Sequence, residues 1–125
     1  MAGIKRVLVA EDNAALARVV QFNLKKCGYD ATVASNGLIA WQIATSEQFD
    51  AIITDQQMPE MTGVELCRKL REIPNYATTP LMMLTAKGLE LELPQLREEL
   101  NISATFSKPF SPTAVVQTLE QLLAV

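Results

Sequence analysis

Five short aliphatic runs alternate with longer amphipathic stretches along this chain, and no other feature restricts its fold as strongly. Runs of four or five β-branched or aliphatic residues are too short for typical helices. The amphipathic stretches between them have the length of helical crossovers, and the repeated pair is the pattern of βαβ units around a parallel sheet. The predicted strands are Arg6 to Ala10, Ala31 to Ala34, Ala51 to Thr54, Leu81 to Leu84 and Ala104 to Ser107. Val7-Leu8-Val9-Ala10 and Leu81-Met82-Met83-Leu84 carry almost no polar alternation, as expected of strands covered by helices on both faces.

The intervening stretches read as helices. The first places Leu16, Val20, Leu24 and Cys27 on one stripe before Gly28 supplies a left-handed stop. The second runs from about Leu38 to Glu47, with Ala40, Trp41 and Ala44 inward. Thr62 and Glu65 have capping-box spacing and open the third, which buries Leu66, Cys67, Leu70 and Ile73 before Pro74. A fourth lies within Leu89 to Leu100, its regular part starting at Pro94, because proline breaks a helix interior. Ser111 and Pro112 open the fifth, with Val115, Val116, Leu119, Leu122 and Leu123 as its apolar face.

At 125 residues, with 49% apolar and 20% charged residues, the chain reads as one folded domain spanning 1–125. A net charge of -3 with interspersed signs offers no electrostatic footprint for direct nucleic-acid binding. Cys27 and Cys67 lie far apart, and with no histidine present they cannot complete a zinc site, so both are expected to be buried, reduced thiols. The apolar run after Arg6 is too short for a signal peptide and no stretch suits a membrane span, which makes the cytoplasm the expected location.

In an open parallel sheet, ligands bind beyond the carboxyl ends of the strands, where strand order reverses. The residues there are Glu11 and Asp12 after the first strand, Asp55 after the third, Thr85 after the fourth and Lys108 after the fifth. Singly, each has an ordinary role as a turn, cap or strand end. Together, three carboxylates at one rim repel one another unless a cation neutralises them. With only oxygen ligands on offer, Mg²⁺ fits, and its habit of sharing carboxylates with a phosphate oxygen implies a phosphate partner. Lys108 supplies a point charge for a phosphate oxygen and Thr85 a hydroxyl donor, leaving the central carboxylate, Asp55, as nucleophile.

The segments Val7 to Asn13, Ile52-Ile53-Thr54-Asp55-Gln56-Gln57-Met58-Pro59 through Gly63-Val64-Glu65, Leu84-Thr85-Ala86 and Ser107-Lys108-Pro109-Phe110 stand in the order and separations of the response-regulator receiver domains. The sequence resembles that family over essentially its whole length. The resemblance implies a flavodoxin-like five-stranded parallel sheet in order 2-1-3-4-5 with helices on both faces. It implies phosphorylation of Asp55 by a sensor histidine kinase or a histidine phosphotransfer protein. Mg²⁺ would be held by Glu11, Asp12, Asp55 and the Gln57 main-chain carbonyl, and the Lys108–Pro109 bond would be cis. Lys108 would pair with the phosphate, and Thr85 would move toward it and reset a surface read by a downstream protein or by an output domain outside this chain. The domain would be a phosphoacceptor signalling module that assists its own phosphorylation and dephosphorylation, not an enzyme with a separate substrate.

One position departs from the family: the usual aromatic three residues before the lysine is Thr105 here, and the neighbouring Phe106 is expected to face the opposite side of the sheet. Gln57 and Lys87 sit where the family tunes the lifetime of the acyl phosphate. Three rival readings are weaker. A phosphatase of the haloacid-dehalogenase type resembles Asp-x-Asp, and Gln57 cannot replace its second acid. A degenerate receiver acting as a phosphorylation-independent interaction module would not need to keep the whole acidic, hydroxyl and lysine set. Flavin binding conflicts with carboxylates that repel a flavin phosphate.

Overall fold

A computed structural model describes residues 3–86 and 93–124. Its elements run β1 (Arg6–Ala10), α1 (Ala14–Lys26), β2 (Asp30–Ala34), α2 (Gly37–Ser46), β3 (Ala51–Asp55), α3 (Gly63–Arg71), a short 3₁₀ turn (Pro74–Tyr76), β4 (Leu81–Thr85), α4 (Leu93–Leu100), β5 (Ala104–Ser107) and α5 (Pro112–Leu123). All four strand pairs are parallel and the order is β2-β1-β3-β4-β5, as expected.

Alternation along each strand divides the core in two. Leu8, Ala10, Ile52, Leu81 and Met83 pack on one face with Ala40 and Ala44 of α2, Leu66, Cys67 and Leu70 of α3, and Leu100 of α4. Val7, Val9, Ala51, Ile53, Met82 and Leu84 pack on the other with Val20 and Leu24 of α1 and Val115, Val116 and Leu119 of α5. Because both faces are covered, β3 and β4 are buried at every residue.

Helix starts follow their caps. Asn13, Asn36, Thr62 and Ser111 each accept a hydrogen bond from the main-chain N–H three residues on. The Asn36 cap sets α2 one residue earlier than its apolar pattern suggests. Pro94 falls at the second position of α4, where a missing N–H costs nothing. Residues 89–92 of the expected fourth helix, like Lys87, lie outside the described residues.

Two expectations are corrected. Strands β3 and β4 each run one residue further, so Asp55 and Thr85 are strand residues, paired in register with Leu84 and Ser107. Cys67 is buried, and burial pushes its thiol up to about 12, but Cys27 is exposed. The stripe of α1 continues to position 27 only on an unbroken helix. The helix ends at Lys26, Cys27 caps it, and Gly28 turns away at φ 93°.

Phe106 packs beside Ala104 on the α1/α5 face. Thr105, between them, is therefore directed to the opposite face, as the departure from the family pattern predicts.

Candidate functional site

At the carboxyl edge of the sheet, Glu11 follows β1, Asp55 ends β3 and Lys108 follows β5. One carboxylate oxygen from each of Glu11, Asp12 and Asp55 lies within 4.8 Å of the other two. Glu11 and Asp55 are buried and Asp12 is exposed, so the cluster opens to solvent on the Asp12 side. The Lys108 ammonium donates to Asp55 Oδ2 at 2.9 Å and lies 3.2 Å from Glu11 Oε1.

The electrostatics of this rim are unbalanced. Burial foremost, with the charge of Asp55 adding to it, pushes the Glu11 carboxyl up to about 7, against a main-chain hydrogen bond from Asn13 and the charge of Lys108. Burial pulls Lys108 down, but the hydrogen bond and charge of Asp55, with the charge of Glu11, outweigh it and leave the ammonium raised. One ammonium serves Glu11 and Asp55 in a cluster of three carboxylates, and the buried Glu11 Oε1 makes no hydrogen bond. A buried carboxylate oxygen with an ion pair but no hydrogen bond, in an all-oxygen cluster holding more carboxylates than ammonium groups, fits a hard cation.

Each residue is held by the local chain. The Glu11 N–H donates to the Ala34 carbonyl of β2 at 3.0 Å, and the Lys108 N–H to the Thr85 carbonyl of β4 at 2.7 Å. The Lys108–Pro109 bond is cis. Thr85 is fully buried, and its hydroxyl donates to the Phe106 carbonyl at 3.5 Å. Gln57 lies two residues beyond Asp55 with its side chain exposed.

The loop between Asp55 and α3 is clamped by two glycines. A Cβ on Gly63 would sit 2.3 Å from the Asp55 carbonyl oxygen, and one on Gly37 would sit 2.1 Å from that of Met61. Only glycine permits either approach. Within the loop, Glu60 adopts φ 72°, a left-handed conformation that costs a side-chained residue about 1 kcal/mol.

Three residues that the sequence does not single out shape this architecture. Gln56 accepts from the first two N–H groups of α3 through its main-chain and side-chain oxygens. Arg71 donates to the carbonyls of Tyr76, Thr79, Leu100 and Asn101. The Tyr76 hydroxyl shares its one proton between the Ala44 and Glu47 carbonyls and accepts from the Phe49 N–H. The one sequence signal was the capping box, which satisfies Glu65 and leaves the question of where the Gly63 and Val64 donors go.

A doubly wound parallel sheet in this order, with an acidic cluster and a lysine meeting at its carboxyl edge, defines the phosphoacceptor signalling class of α/β domains. A model of the response regulator receiver domain matches residues 7–120, and the chain belongs to that family, the receivers of two-component systems. The chain is 35% identical over 119 residues to the alkaline phosphatase synthesis transcriptional regulatory protein PhoP of Bacillus subtilis, covering 95% of this chain and 48% of that protein. It is 32% identical over 120 residues to a chemotaxis protein CheY homolog of Campylobacter jejuni, covering 94% and 92% respectively. The solved structure of the chemotaxis protein CheY4 of Vibrio cholerae superposes with a TM-score of 0.88 at 30% identity, covering 97% of this chain and all of that one. The chain thus spans about half the length of PhoP and nearly the whole of the CheY homolog. No helix among the described residues is long and apolar enough to cross a membrane.

Proposed function

We propose that Asp55 accepts a phosphoryl group from a phosphohistidine on a sensor kinase or phosphotransfer protein, with Mg²⁺ held by Glu11, Asp12, Asp55 and the Gln57 main-chain carbonyl. The observation that carries this reading is the convergence of three carboxylates and Lys108 around a buried oxygen with no hydrogen-bond partner. A bound Mg²⁺ supplies charge neutralisation for the carboxylates and for the phosphoryl oxygens.

The chain's own groups do the rest. An Asp55 carboxylate oxygen attacks phosphorus as the donor's N–P bond breaks; the new O–P bond makes an acyl phosphate, and the released imidazole takes up a proton. Lys108, already bonded to Asp55, shifts its charge to a phosphoryl oxygen, and the Thr85 hydroxyl leaves the Phe106 carbonyl for another. The new group brings about -1.5 to -2 charges by analogy with phosphoserine, enough to draw both donors inward. With Thr105 at the usual aromatic position and Phe106 on the far face, the Thr85 movement reaches β5 through a main-chain carbonyl. The surface so altered is read by a downstream protein or an output domain. Cytoplasmic residence is consistent with such a donor.

The test is mass spectrometry after treatment with acetyl phosphate and Mg²⁺. The native chain is expected to gain one hydroxylamine-labile phosphoryl group, lost on chelation of the metal before treatment and absent from Asp55→Asn. An undiminished adduct on Asp55→Asn removes Asp55 from its role, and no adduct on either chain identifies an inert module.

A further inference from the structure

Helix α3 begins eight residues after Asp55, and its first four N–H groups need acceptors. Counted from the N-cap, all four have one: Thr62 donates to Glu65 Oε1 at 3.1 Å, Gly63 to the Gln56 carbonyl at 3.0 Å, Val64 to Gln56 Oε1 at 2.7 Å and Glu65 to Thr62 Oγ1 at 3.2 Å. Gln56 therefore supplies half of the helix start, although it lies outside the helix. Its own N–H donates to the Leu84 carbonyl of β4 at 3.0 Å.

Three groups of one residue thus tie the residue after Asp55 to β4 and to α3, and they close the loop 57–62 into a ring. Within that ring Met58 and Met61 are buried and Glu60 is held left-handed. Gln57, the first residue of the ring, has only main-chain geometry to direct its carbonyl. The main-chain bonds of Gln56 survive substitution, so the side-chain bond to Val64 is the one that residue identity controls.

We infer that Gln56 is a positioning residue: its side-chain oxygen, by capping Val64, fixes the loop so that the Gln57 carbonyl is aimed at the cation. This rests on the Mg²⁺ reading above. Partners that orient a ligating group are worth about tenfold or more in metal affinity. They act by removing the cost of ordering the ligand on binding.

The test compares the native chain with Gln56→Met, which keeps length without an acceptor, and Gln56→Glu, which keeps the acceptor. Mg²⁺ affinity is read by calorimetry, loop order by hydrogen exchange of the Val64 amide in the metal-free protein, and phosphorylation with acetyl phosphate over a range of Mg²⁺. Gln56→Met is expected to weaken Mg²⁺ binding about tenfold and to lose Val64 protection. Its phosphorylation rate at saturating Mg²⁺ should stay within about twofold of native, because the ordering cost is met once the ion is bound. Gln56→Glu is expected to restore both affinity and protection. Native affinity in Gln56→Met overturns the inference, as does a lowered melting temperature with Mg²⁺ binding unchanged. Tighter binding in Gln56→Glu without Val64 protection reveals only the added charge and also overturns it. A native chain that binds no Mg²⁺ refutes the metal site itself, a result distinguishable from all of these.

Discussion

The two ends of the sheet treat buried polarity in opposite ways. At the amino end, charged and hydroxyl groups are fully supplied with partners. Arg71 meets four carbonyls, the Tyr76 hydroxyl shares its proton between two carbonyls and accepts from an N–H, and Arg6 pairs with Glu47 and Asp30 while its N–H donates to Asp50 at 2.7 Å. At the carboxyl end, two of the three clustered carboxylates, Glu11 and Asp55, share one ammonium, and the buried Glu11 Oε1 makes no hydrogen bond. One end is built to hold the strands together. The other gives up self-sufficiency, and such a deficit persists where a ligand is meant to complete it.

If this contrast is sound, substitutions at the two ends should move stability in opposite directions. The largest effect is expected from Arg71→Met, which strands four carbonyls. Urea denaturation should show a loss of about 3 kcal/mol, since hydrogen bonds from a charged donor are strong and unsatisfied acceptors are costly. Phosphorylation of the folded variant should be unchanged, and a matching loss of Mg²⁺ binding would blur the division between the ends.

A smaller effect of opposite sign is expected at the rim. Glu11 is raised from its ordinary 4.5 to about 7, so the fold retains its proton where the unfolded chain has lost it. The stability it lends is complete below pH 4.5 and is lost as pH rises to about 7. Glu11→Gln in chelator should therefore melt progressively higher relative to native as pH is raised across that window. Parallel melting profiles from pH 4 to 8 would show that the rim carries no such deficit.

The smallest effect concerns backbone at the same end. Glu60→Gly removes the cost of a left-handed φ, and stability should rise by about 0.5 kcal/mol once the larger entropy loss of glycine on folding is included. A fall measured by the same denaturation would mean that the Glu60 side chain contributes more than its backbone costs.

Legibility in the sequence followed the same division. The strands came from apolar runs and their order from the family resemblance, while Glu11, Asp12, Asp55 and Lys108 came from reading what stands where those runs stop, because a strand end places its next side chains at the rim. Asp55 and Thr85 look like boundaries by polarity but still pair with neighbouring strands, so the ladder outran the pattern by one residue. Cys27 was misplaced because periodicity was carried past the end of α1. Gln56, Arg71 and Tyr76 were invisible for a common reason: their partners are main-chain carbonyls and amides, and a sequence does not say which main-chain groups lie near.

The two glycine contacts give the acceptor loop a fixed thickness. Helices α2 and α3 touch its carbonyls without an intervening side chain, so no rotamer is available to take up a displacement there. Close-packed backbone compresses little. A shift of the Asp55 main chain by a fraction of an ångström must therefore travel outward as a translation of α3, and the loop behaves as a gauge block between strand and helix.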